Sequence, residues 1–311
     1  MTQPSNPEPA SLPDPPLEQT RIDDLCERLS LEPLDRDLFF ANPGPGEGRL
    51  FGGLVAAQSV MAAIATVDEA ETPEDAPTSL LHSIHAYFLR PGRYDLPIRF
   101  VVDRIRDGRT FSTRRVVAHQ SGEAIFNMAA SFARPEEGMS HQQPMPETVP
   151  PNALEEWTTL RYRALGLPEP QEFESPIEVR VIDPTEFDSV GPRAPERKVW
   201  IRPRGILPED PALHTAALVY ATDRTLLSTA MLASGFTPGK DVMGASLDHA
   251  VWLHHPIRFD DWMLFTSESP ISHAARGLIF GSLYRRDGVQ LASVAQEGLI
   301  RERRTKTGNA K

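Results

Sequence analysis

Cysteine is the scarcest resource of this chain: Cys26 stands alone among 311 residues. One thiol can make neither an internal disulfide nor a thiolate zinc site, which fits a reducing compartment and leads us to expect a cytoplasmic protein. Positive charge is in deficit too. Lys and Arg number 32 against 43 Asp and Glu, a formal net charge of −11, whereas nucleic-acid binding demands clustered basic charge. No apolar run approaches the ~18–20 residues needed to cross a bilayer. The first twenty residues have no basic n-region and no apolar h-region, so no secretory signal is expected. The closing Asn309-Ala310-Lys311 is not a peroxisomal address. What remains, with 40% hydrophobic and 24% charged residues, has the balance of a soluble globular protein.

Proline, by contrast, is plentiful, and its 30 copies divide the chain. Six fall within residues 1–16, which predicts a disordered tail over 1–20. A second cluster runs from Pro135 to Pro151, and prolines recur as far as Pro211. Sheet interiors exclude proline. The middle of the chain therefore reads as a connection, with short strands at Ile177–Ile182 and Lys198–Arg202. The expected division is a first folded unit over 21–134, a Pro-rich linker over 135–175, a second unit over 176–302 and a polar tail over 303–311.

Both units follow one plan. In the first, Leu80–Leu89, Pro97–Asp107 and Thr110–Ala133 are rich in β-branched and aromatic residues, with a hairpin turn at Ser121-Gly122. In the second, Ala245–His255, Trp262–Ser269 and Gly277–Arg301 repeat the pattern, with the turn at Asp287-Gly288. One helix precedes each set. Gly53–Val67 is Ala-rich and apolar nearly all round, hence buried. The other starts at an Asp210 N-cap followed by Pro211 and is expected to run to about Ala233. His85-Ala86 matches His249-Ala250 at an offset of 164, Phe100 and Asp103 match Phe265 and Glu268 at 165, and Gly122 matches Gly288 at 166. So small a drift points to a duplicated unit. The geometry expected is a curved antiparallel sheet around a central helix, made twice.

Few residues break the apolar pattern in a way that suggests chemistry. On a continuous helix Asp223 would be flanked by Val219, Tyr220, Leu226 and Leu227, on the buried face. A leucine there would contribute about 1.5–3 kcal/mol, whereas a buried carboxylate costs several kcal/mol unless well partnered. It is either a structural Asp, paired or capping, or a general base tuned by its surroundings. Gln296 shares a strand face with Ala292, Val294, Gly298 and Ile300, and an amide in that company needs partners. Ser246 opens a strand that also carries Asp248 and His249. A Ser246/His249 nucleophilic pair is disfavoured, because residues i and i+3 of one strand face opposite ways, and no Gly-x-Ser-x-Gly elbow exists.

The remaining motifs read as structure. Gly235–Asp241 lacks the P-loop spacing, and Gly44, Gly46 and Gly48 form a loop rather than a dinucleotide fingerprint. The pairs His82/His85 and His254/His255 scatter over both strand faces, so no metal site is expected. Arg114/Arg115 and Arg303/Arg304 are read as solvated, with an anionic cofactor as the alternative partner. At the offsets of the duplication, Asp223, Ser246 and Gln296 correspond to Ser59, His82 and Ala130. Only the second unit holds the polar trio, as expected if the pair of units shares one active site.

Taken together, Arg49–Gln58, His82–Gly92, Arg106–Phe132, Leu247–Pro256 and Asp287–Arg301 resemble the motif blocks of the acyl-CoA thioesterase II family over about residues 24–302. The resemblance implies an α+β double hotdog fold. It also implies hydrolysis of fatty acyl-CoA to free fatty acid and CoA, with a water held by an Asp, a Thr or Ser, and a Gln. By motif position these are Asp223, Ser246 and Gln296. Leu54 departs from the family, where glutamine is common. No cofactor or metal is called for, acyl-CoA is the expected partner, and exposed sheet edges favour a homodimer or homotetramer. Two alternatives stay open. One is an acyl-CoA-binding protein without turnover, to which Leu54 points. The other is a hotdog enoyl-CoA hydratase or dehydratase using Asp248/His249, disfavoured because neighbouring strand residues face opposite ways.

Overall fold

The computed structural model describes residues 18–67, 79–168, 175–188, 191–235 and 242–303. Residues 1–17 of the Pro-rich tail, residues 236–241 of the loop after Gly235, and the polar tail beyond residue 303 lie outside the described residues; Gln19 and Thr20, expected in the disordered tail, instead begin a helix. In chain order the elements are α1 (Gln19–Leu29), β1 (Glu32–Asp35), β2 (Leu38–Ala41), α2 (Gly52–Ile64), β3 (Leu80–Phe88), β4 (Ile98–Asp107), β5 (Phe111–Gln120) and β6 (Glu123–Ala133). There follow α3 (Trp157–Ala164), β7 (Ile177–Val181), α4 (Thr185–Asp188), β8 (Glu196–Pro203), α5 (Pro211–Thr222) and α6 (Leu226–Met231). The chain closes with β9 (Val242–Ser246), β10 (Asp248–Leu253), β11 (Met263–His273), β12 (Arg276–Arg285) and β13 (Gln290–Glu302).

All the described strands join one antiparallel sheet, in the order β1-β2-β4-β5-β6-β3-β10-β13-β12-β11-β8-β7, with β9 paired to β13. The order reads the same way outward from the β3–β10 seam. On one side come β6, β5, β4 and β2; on the other β13, β12, β11 and β8. This is the duplication that the offsets predict, and the architecture is a double hotdog. Each half-sheet buries one face. Alternation along β13 puts Ala292, Val294, Gln296 and Gly298 inward, as period two requires. α2 packs against β4, β5 and β6, and α6 against β11, β12 and β13. α5 packs mainly on α2, so the two halves share one core.

Three further sequence expectations need correction. The second helix is not continuous: α5 stops at Thr222, and residues 223–225 form a turn before α6. Thr222 bonds its hydroxyl back to the Val219 carbonyl at 2.8 Å, a contact that competes with the helix ladder. The Pro-rich connection also contains α3, whose N-cap Glu156 accepts the Thr158 and Thr159 N–H groups. Nor is Arg114 solvated. It is fully buried, donating to the Thr66 hydroxyl and carbonyl at 2.9 Å each and to Asp107 at 2.5 Å. Its position faces inward on β5, and its charge lies just past the C-terminal end of α2, where a cation offsets the helix dipole. Arg115, by contrast, is exposed.

The hairpins differ in how legible they are. Ser121-Gly122 joins β5 to β6 with both φ angles positive, at 50° and 85°. β11 and β12 are joined by Ala274-Ala275, also with positive φ, at 49° and 60°. Alanine in the left-handed region costs roughly 1–2 kcal/mol, and nothing in that dipeptide signals a turn. Replacing Ala274-Ala275 with Asn-Gly, the residues this turn geometry favours, is expected to stabilise the protein by about 1–2 kcal/mol. A higher melting temperature in calorimetry is the readout.

Candidate active site

Asp223 is the C-cap of α5, 8% exposed. The helix break does not expose it. The turn swings the carboxylate toward the start of α2, in the other half of the molecule, where the Gly53 N–H donates to it. Two glycines allow this approach. A Cβ on Gly52 would stand 2.9 Å from Asp223 Oδ2 and 2.6 Å from the Phe88 ring. A Cβ on Gly53 would stand 2.6 Å from the Tyr220 carbonyl oxygen. The N-terminal end of a helix also favours a negative group.

The other two expected residues meet Asp223 at a single atom. Gln296, fully buried on β13, donates from Nε2 to Asp223 Oδ1 at 3.1 Å and to Ser246 Oγ at 2.5 Å. Ser246, the last residue of β9, donates its hydroxyl to the same Oδ1 at 3.1 Å. Asp223, Ser246 and Gln296 are thus brought together from a helix end and two paired strands. Their counterparts in the first half are not. His82 bonds Ser131 at 2.8 Å, Ser59 Oγ is buried without a partner, and Ala130 has no polar group.

Ser246 and His249 do not face opposite ways, contrary to the strand argument. Ser246 pairs with Gly298 whereas Ala250 pairs with Ala295. Four steps on one strand are therefore matched by three on the other. The extra residue is a β-bulge at the junction of β9 and β10, and it resets the alternation of faces. Both side chains consequently reach Gln296, with His249 Nδ1 at 2.9 Å from Gln296 Oε1. They do not form a nucleophilic pair, because Ser246 is engaged with Asp223. Asp248 points the other way and accepts the Glu297 N–H at 2.6 Å, so Asp248 and His249 cannot act as one carboxylate–histidine unit.

Burial dominates the electrostatics. It pushes the Asp223 carboxyl above its ordinary range, against the opposing pull of His249, Ser246, Gln296 and the Gly53 N–H. It pushes the fully buried His249 down, with Asp223 and Gln296 pulling the other way. Burial thus favours the uncharged form of both groups. Gly52 and Gly53 are not candidates in the sequence, and His249 enters there only in the disfavoured pairs with Ser246 and Asp248. The Gly-Gly pair at the start of an apolar helix was the available signal; the bulge that redirects His249 left none.

Known proteins resemble this chain along most of its length. Residues 42–133 match the family model for the acyl-CoA thioesterase N-terminal domain, and residues 169–299 that for acyl-CoA thioesterase. Acyl-coenzyme A thioesterase 8 of Mus musculus is 38% identical over 289 residues, covering 88% of this chain and 87% of that protein. The chain belongs to the acyl-CoA thioesterase family. Acyl-CoA thioesterase 2 of Haemophilus influenzae is 36% identical over 293 residues, covering 90% of this chain and 98% of that one. The crystal structure of acyl-CoA thioesterase II TesB2 from Mycobacterium marinum superposes with a TM-score of 0.72 at 36% identity, covering 92% of this chain and all of that one. As a family member the protein is a thioester hydrolase.

The close approach at Gly52 supplies a test of the geometry. Gly52→Ala forces apart Phe88 and the Asp223 carboxylate and is expected to cost about 1–3 kcal/mol. The unfolding free energy in urea measures it.

Proposed function

We propose that the protein hydrolyses fatty acyl-CoA to the free fatty acid and CoA, with Asp223 as general base. The observation that carries this reading is the convergence of Ser246, Gln296 and the Gly53 N–H on one buried carboxylate. A thioester carbonyl is a good electrophile and needs no covalent relay. Water held by Ser246 and Gln296 attacks the carbonyl carbon while Asp223 takes its proton. The tetrahedral intermediate then collapses, the C–S bond breaks, and the CoA thiolate leaves and is reprotonated. A positioned base is worth ~10²–10⁴ in rate. The positive end of the α2 dipole lies beside the reacting centre and favours the charge that develops on oxygen.

A free, only partly buried Cys26 fits a reducing cytoplasm. Tyr87, Ile105 and Phe111 leave apolar area on the exposed face of the first half-sheet, which supports a homodimer or homotetramer. Sedimentation velocity is expected to return a species of at least twice the 34.5 kDa chain mass.

The deciding experiment follows CoA release from acyl-CoAs of increasing chain length, with a protein-only blank because Cys26 can react with thiol-trapping reagents. Asp223→Asn is expected to lower kcat by about 10² or more. Binding of acyl-CoA without turnover in the unaltered protein would instead favour a binding function. Because burial raises the Asp223 pKa, the acid limb of kcat/KM is expected above the ordinary carboxylate range, activity failing as pH falls through the raised value. Stability runs the other way. A raised folded-state pKa adds stability that is complete below the unfolded value and lost as pH rises through the folded one. Asp223→Asn lacks this titration, so its melting temperature is expected to fall less steeply than that of the unaltered protein as pH rises.

A further inference from the structure

His249 belongs to the same buried cluster, yet the reaction as proposed does not use it. It is fully buried. Its Nδ1 lies 2.9 Å from Gln296 Oε1, and its Nε2 lies 2.9 Å from Thr222 Oγ1. A neutral imidazole has one N–H and one lone pair, so the two contacts cannot both be donations from the ring.

Consider the N–H on Nε2. Nδ1 then turns a lone pair toward the Gln296 carbonyl oxygen, two acceptors facing each other in a dry site. Rotating the amide by half a turn relieves that contact but creates a worse one. Oε1 would then face the Asp223 carboxylate, now 3.1 Å from Nε2. With the N–H on Nδ1 each contact of the ring and of the amide has one donor and one acceptor, and the contact given up is the weaker one of the Thr222 hydroxyl with the Val219 carbonyl. The Thr222 hydroxyl donates to Nε2, Nδ1–H donates to Oε1, and the Gln296 NH₂ donates to Asp223 and Ser246.

We propose that His249 is a positioning residue: protonated at Nδ1, it locks the Gln296 amide so that its NH₂ faces Asp223 and the attacking water. The inference rests on the water-activation reading for its effect on rate, but the orientation itself can be measured without turnover. An amide in the wrong orientation presents a carbonyl oxygen to the carboxylate and cannot hold the water for attack. The Thr222 hydroxyl can donate or accept and so suits either tautomer; the Gln296 amide and the Asp223 carboxylate set which ring nitrogen keeps the proton.

The first measurement is ¹⁵N NMR of the intact protein labelled at histidine, with the His249 signals assigned by their loss in His249→Asn. Near neutral pH, Nδ1 is expected to carry the proton. An unprotonated Nδ1 overturns the proposal, whatever the activity. The second measurement is steady-state kinetics on acyl-CoA. His249→Phe is expected to lower kcat by about tenfold to 10²-fold with KM changed less than about threefold. His249→Asn, whose amide N–H can take the place of Nδ1–H, is expected to recover most of that loss. Equal loss in both variants overturns the proposal. Should His249→Phe fail to fold, the spectrum of the unaltered protein still decides. Full activity in Asp223→Asn would instead sink the water-activation reading and leave the amide orientation to the spectrum.

Discussion

The site depends on one unfavourable act, the withdrawal of the Asp223 carboxylate from water. Burial alone would neutralise it, and the structure answers with directed donors from both halves. Gly53 contributes a backbone N–H from the first half, and Ser246 and Gln296 contribute side-chain donors from the second. Each hydrogen bond to a charged group is worth roughly 1.5–3 kcal/mol, comparable to the several kcal/mol that desolvation costs. Burial still wins, so the pKa stays raised. A raised pKa makes the ionised form of this carboxyl a stronger proton acceptor than an exposed carboxylate, as the proposed role requires.

That arrangement places the candidate site in one half of a duplicated fold while drawing on both. The start of α2 reaches the end of α5, so the first half supplies a backbone donor where the second supplies the charge. At the offset-matched positions of the first half, Ser59 and Ala130 provide neither carboxylate nor amide. The seam between the halves, Asp248 opposite Tyr87 through Trp252 opposite Ser83, makes one continuous sheet. It holds the two helices in the fixed relation that the site needs.

Away from the site, charge is buried for a different purpose. Glu178 accepts from Arg180 and Arg202, Arg204 pairs with Glu156, and Arg197 pairs with Glu186. These pairs tie α3, α4 and the β7–β8 edge to the rest. They are mutually satisfied, whereas Asp223 faces only neutral donors and a neutral imidazole. That difference sets Asp223 apart from the structural carboxylates and is what the proposed general-base role needs.

Much of this was written in local sequence. Apolar alternation fixed the strands, the Ala-rich run fixed α2, and the drift of one or two residues between repeats fixed the duplication, because side-chain period and chain spacing are local quantities. Asp223 and Gln296 stood out because a polar group in an apolar row must find partners. Tertiary structure decided the rest. The helix break at Asp223, the bulge that turns His249 onto Gln296, and the burial of Arg114 at the end of α2 all depend on contacts between residues far apart in sequence. Periodicity gives the direction of a side chain only while the element is regular. Where one extra residue or a broken turn interrupts it, the packing of the whole molecule sets the direction, and here both interruptions lie at the site.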